Sequence, residues 1–126
     1  MTAIPPIGLS ATVLDAPDAR ALADFYRRLL GWIVETDEPG RVLLRAPEGG
    51  AGLSFQTETT YTRPTWPTAP GGQQMMMHLD IEVDDLDIAG AHAVATGAVL
   101  ADFQPQDHTR VYFDPAGHPF FLWIRG

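Results

Sequence analysis

The chain has 126 residues, no cysteine and a formal charge of −8, with 45% hydrophobic and 19% charged residues. That is the length and apolar content of one globular domain, and it excludes disulfides and thiolate chemistry. No run reaches the length needed to cross a bilayer, and only eight basic residues against sixteen acidic ones argue against a nucleic-acid partner. The opening Met-Thr-Ala-Ile-Pro-Pro lacks the basic and apolar segments of a signal peptide, so a cytoplasmic protein is expected.

Taken in order, Ile7 to Leu14 alternates Leu9, Ala11 and Val13 against Gly8, Ser10 and Thr12, which predicts a strand. Asp15 and Asp18 then offer caps to a helix whose stripe is Leu22, Phe25, Tyr26, Leu29 and Leu30, with Gly31 to end it. Trp32 to Glu35 and Arg41 to Ala46 read as strands joined through Asp37-Glu38-Pro39-Gly40, and a third runs from about Gly52 to Thr57. The segment 58–74 holds Pro64, Pro67, Pro70, Gly71 and Gly72 and no periodicity, so it reads as a linker.

Beyond it the order repeats. A strand is expected over 77–83, in which His78, Asp80 and Glu82 share one face and Leu79, Ile81 and Val83 the other. A helix over 85–96 ends at Gly97, and strands follow over 98–104, 110–113 and 119–124, the last two separated by the turn Asp114-Pro115-Ala116-Gly117. Val13 and Val83, Gly31 and Gly97, Pro47 and Pro115 take like places 70, 66 and 68 residues apart.

Three stretches in this order carry a resemblance: Phe25-Tyr26 with Leu29-Leu30-Gly31-Trp32, His78-Leu79-Asp80-Ile81-Glu82-Val83-Asp84-Asp85-Leu86, and Asp114-Pro115-Ala116-Gly117-His118-Pro119-Phe120. They resemble the vicinal oxygen chelate superfamily, which includes glyoxalase I, bleomycin-resistance proteins and extradiol dioxygenases, and most of all its small bacterial glyoxalase-like members. The resemblance implies an α+β fold of two tandem βαβββ modules, whose curved mixed sheets surround a cleft. Module one would span about 5–57 and module two about 75–126 of a single domain. It also implies pairing as a homodimer, with modules paired within one chain or exchanged between two.

In the metal-using members four side chains hold a divalent ion. Carried over, those places fall at Gly8, Ser54, His78 and Phe121, and His78 alone is a ligand type for a transition metal. No metal or other cofactor is therefore expected.

The expected site is an apolar cleft for a small organic molecule. His78, oriented by Asp80, would be its principal polar group, with Gln56 beside it. His108 and Arg110 would serve an anionic or carbonyl-bearing ligand, and Trp66, Phe103, Tyr112, Phe121 and Trp123 would supply aromatic walls. Met75 to Met77 read either as lining or as packing, His118 as a turn residue, and His92 as surface. The alternatives are a lyase, isomerase or dioxygenase using His78 as a base or in a non-standard site with Gln56 and His108, or a protein-interaction subunit without a ligand.

Overall fold

The computed structural model describes residues 3–125. Module one runs β1 (Ala11–Ala16), α1 (Ala19–Leu30), β2 (Ile33–Glu38), β3 (Arg41–Arg45) and β4 (Gly52–Thr57). Module two repeats it as β5 (Leu79–Glu82), α2 (Leu86–Thr96), β6 (Val99–Leu100), β7 (Thr109–Phe113) and β8 (Pro119–Trp123). Each module closes its first strand in parallel against its last, giving sheets of order β1-β4-β3-β2 and β5-β8-β7-β6. The α+β arrangement of two βαβββ units is the one expected.

Local chemistry sets the elements. Asp18 accepts from the amides of Arg20 and Ala21 at the start of α1, and Gly31 ends the helix at φ 71°, a left-handed conformation that a Cβ disfavours. Asp85 caps α2 through the Ile88 amide. The stripe of α1 buries Leu22, Phe25 and Tyr26 against Val42, Leu44, Leu53 and Phe55 of its own sheet. It also reaches the other module, where Phe25 lies 5.9 Å and Tyr26 6.1 Å from Phe120 between ring centroids. One apolar core therefore serves both sheets.

Four strands differ from the sequence pattern by more than one residue. β2 runs on through Asp37 and Glu38, expected in the turn, because they pair with Val42 and Arg41. The first strand is Ala11–Ala16 rather than Ile7 to Leu14, because its partner among the described residues, β4, pairs residue for residue from Ala11↔Gly52 to Ala16↔Thr57. Asp15 is thus a strand residue, and Asp18 alone caps the helix. The strand expected over 98–104 shrinks to Val99–Leu100, because the Gln104 side chain takes over the ladder: its Oε1 accepts from the Val111 amide and its Nε2 donates to the Val111 and Ala101 carbonyls. The strand expected over 77–83 begins only at Leu79. Met76 has φ 41°, and the Met77 amide donates to the Met75 carbonyl, so a tight turn precedes it.

The second module's side of this core has a close approach that only glycine permits. Tyr112 stacks on Phe120 and points its hydroxyl at Gly90, where a Cβ would fall inside van der Waals contact. Gly90→Ala would raise helix propensity by about 1 kcal/mol, yet the ring cannot retreat from Phe120. We expect a net loss of about 1–3 kcal/mol in urea unfolding, most of it recovered in the Gly90→Ala/Tyr112→Phe double variant.

Candidate functional site

β1 and β5 are both edge strands, and among the described residues each leaves one side without a sheet partner. Between these two edges lies a cavity of about 690 Å3. Residues 12–15 of β1 form one wall and residues 75–79, on the approach to β5, the other, with Gln56, Tyr61 and His118 among the remaining contacts. A second recess of about 460 Å3 opens over Asp80, Thr109, Phe121 and Trp123 on the second sheet. His78 lines both.

The position of His78 follows from parity. It precedes β5 by one residue but keeps the face of Asp80, opposite to the core residues Leu79 and Ile81. Its imidazole lies parallel to Phe121, 4.0 Å between centroids and 17° between planes, and its Nδ1 is 3.0 Å from Asp80 Oδ1. Phe121 is backed edge-on by Trp66 at 5.9 Å, and Trp66 meets Phe103 at 5.4 Å. The ring is thus held on one face by an aromatic stack and at one nitrogen by a carboxylate. With Nδ1–H donated to Asp80, the neutral imidazole leaves the Nε2 lone pair open to accept a hydrogen bond.

The other candidates divide between the two faces of the second sheet. Arg110 pairs with Leu122 and Tyr112 with Phe120, so both side chains lie on the helix-covered face, away from the two cavities. The Arg110 guanidinium donates to the carbonyls of Asp107 and Thr109, and Tyr112 is core. His108 is exposed and holds Ile124 through its carbonyl. Trp66 and Phe103 support Phe121 from behind, and Gln56 lines the larger cavity with its amide donated to Asp15. His92 is exposed on α2, with Nε2 3.0 Å from the Leu29 carbonyl.

Tyr61, Glu58 and His118 also line the larger cavity, and the sequence reading did not single them out as lining. Tyr61 and Glu58 sit in the aperiodic linker, which carries no pattern to mark them. His118 Nε2 is 2.7 Å from the Asp15 carbonyl and 3.3 Å from the Tyr61 hydroxyl, so its imidazole ties the β7–β8 turn to β1 across the module boundary. Tyr61 donates to the Ala116 carbonyl, and burial, then the nearby Asp114 charge, pushes its phenol up to about 12.

That turn is organised by Asp114. One carboxylate oxygen accepts from the amides of Ala116 and His118, and the other from the Tyr26 hydroxyl of α1 at 2.7 Å. Burial raises the Asp114 carboxyl above the ordinary carboxylate value, opposed by His118 and by the hydrogen bond from Tyr26. Burial likewise lifts the Tyr26 phenol well above its usual range.

Of the residues that the resemblance puts at the superfamily's metal places, Gly8 lies in the exposed segment before β1, Ser54 is buried on β4, and Phe121 is stacked on His78. Among the described residues no three His, Asp or Glu side chains gather to hold an ion. Nor does any helix of the described residues reach the length and apolarity needed to span a membrane.

Two βαβββ modules, free first-strand edges and a cavity between them define a glyoxalase-type scaffold, and the sequence profile of the glyoxalase-like domain matches residues 11–123. The chain belongs to this family, within the vicinal oxygen chelate superfamily. Among curated proteins it is similar to the anthracycline biosynthesis protein DnrV of Streptomyces peucetius, 29% identical over 125 residues, covering 90% of this chain and 45% of that protein. The chain thus spans about half the length of this curated relative. A glyoxalase/bleomycin resistance protein/dioxygenase family enzyme from Burkholderia phytofirmans PsJN superposes with a TM-score of 0.67 at 18% identity, covering 94% of this chain and 98% of that one. TnmS3, an antibiotic binding protein from Streptomyces sp. CB03234, superposes with a TM-score of 0.64 at 17% identity, covering 98% and 100%. These two likenesses establish the fold.

The Asp114 network sets a pH-dependent expectation. A carboxyl whose folded-state pKa is raised binds its proton more tightly when folded, so its contribution to stability falls as pH rises from the ordinary carboxylate range through the folded value. Tyr26→Phe removes the hydroxyl that supports the ionised form. Urea unfolding should give a loss of about 1–3 kcal/mol at pH 7, shrinking as the pH is lowered toward 4 and Asp114 takes up its proton.

Proposed function

We propose that this protein binds a small organic molecule in the cavity between β1 and β5, without the metal centre of its superfamily. The observation that carries the reading is the cavity itself. Its volume of about 690 Å3 is that of a drug-sized site, its walls combine Met75 to Met77 and Tyr61 with a few polar groups, and His78 offers Nε2 as an oriented acceptor. The antibiotic-binding description of TnmS3 and the anthracycline-pathway description of DnrV accord with such a role. Gly8, Ser54 and Phe121 are a donor set that does not fit a transition metal.

A second reading rests on the His78–Asp80 pair, 3.0 Å apart. A histidine oriented by a carboxylate is suited to remove a proton next to a carbonyl, as a lyase or isomerase would require. The binding reading is preferred because it needs only the cavity and one acceptor.

Met76 and Met77 on the cavity wall are 85% and 73% exposed, and Ile7 and Leu9 in the segment before β1 are 81% and 78% exposed. Covering such a surface with a second copy gives the homodimer we propose, and it would put those side chains out of water.

Titration with 2-naphthol, a neutral planar phenol, should quench the fluorescence of Trp66 and Trp123 saturably at one site per chain. His78→Ala should weaken it about tenfold, the worth of one good hydrogen bond to the phenol. Absence of saturable binding would sink the proposal. Turnover of α-ketoaldehyde–thiol adducts that His78→Ala abolishes would favour the enzyme reading instead. Purified without chelators, the protein should carry no stoichiometric transition metal in elemental analysis, and it should sediment as a dimer at micromolar concentration.

A further inference from the structure

Resting on that assignment of the cavity, we infer that its ligand is an organic molecule bearing an ammonium group on an apolar body, and that anionic ligands are rejected. The argument is the sign of the lining. Asp15 and Glu58 are the charged side chains on the wall of the larger cavity, and Asp80 is that of the smaller recess. No guanidinium lines either one, and the chain has no lysine at all. The remaining ionisable lining groups are already oriented: His78 rests on Asp80, His118 on the Asp15 carbonyl, and the Tyr61 hydroxyl on the Ala116 carbonyl.

The arginines closest in sequence to the lining are engaged elsewhere. Arg63 lies along Gly117 and donates to the Pro115 carbonyl, Arg110 is turned to the opposite face of its sheet, and Arg125 forms a two-point pair with Glu82 over the Trp123 ring, 5.2 Å from its centroid. An anionic ligand would therefore enter a space walled by carboxylates with no side-chain cation to meet it. A cation instead finds carboxylates and the Tyr61 ring, and thioethers accommodate the attached apolar body. The sixteen acidic residues against eight basic ones extend the same field outward and steer a cation to the mouth.

The test compares three ligands with one ring system: 2-naphthylmethylammonium, 2-naphthol and 2-naphthoate, titrated against the intact chain by tryptophan quenching at low and at high salt. The ammonium should bind about tenfold tighter than the carboxylate at low ionic strength, and the gap should narrow as salt screens the lining. Asp15→Asn and Glu58→Gln should each reduce the gap between ammonium and carboxylate. Thermal melts of both variants verify that they fold. Equal affinity for ammonium and carboxylate, or a preference for the carboxylate, overturns the inference while leaving the cavity as a binding site. Failure of all three ligands to bind overturns the binding-site assignment together with it.

Discussion

The buried carboxylate of Asp114 joins parts of the chain that lie far apart in sequence. It accepts the Tyr26 hydroxyl from the first module's helix and the amides of Ala116 and His118 from the second module's last turn. A buried carboxyl is costly unless its oxygens are satisfied, so the turn cannot move away from α1 without exposing that cost. Because the turn is held there, His118 reaches the Asp15 carbonyl and Tyr61 reaches Ala116. The spacing between the β1 and β5 edges, and hence the cavity, depends on these contacts.

The aromatic core makes the same junction without polar groups. Phe25 and Tyr26 meet edge to face, Tyr26 stacks on Phe55 of the first sheet, and both approach Phe120 of the second. Buried aromatic surface of this size dominates the free energy of a small core. It locks α1 as the shared layer between two sheets that have no strand in common. Among the described residues the edges of β1 and β5 stay unpaired because the helices, and not strand pairing, hold the modules together.

Much of this architecture was legible in the residues. The alternation from His78 to Val83, the stripe Leu22, Phe25, Tyr26, Leu29, and the punctuation at Gly31 and Gly97 follow from side-chain period and backbone sterics, which are local. The site was legible only in part. The reading that put His78 on the face opposite Leu79 used parity alone, and the stack on Phe121 lies on that face. For β7 parity was insufficient, because Val111 and Tyr112 are neighbours and both are buried, so alternation did not say which face carries the helix. Arg110 is expected in the cleft because the resemblance floors the cleft with these strands, whereas its pairing with Leu122 turns it to the helix side.

What the sequence determined by itself was the set of elements and their duplicated order, since both are properties of residue identity and spacing. What only the tertiary structure decided was where strands stop and what meets across the gap. β1 ends where β4 offers no further partner, a glutamine side chain replaces the rest of β6, and His118, Tyr61 and Asp15 converge from segments separated by up to 103 residues. The reason is physical: strand length and cavity lining depend on partners brought together by the core, and no local pattern encodes a partner that lies on the other side of the fold.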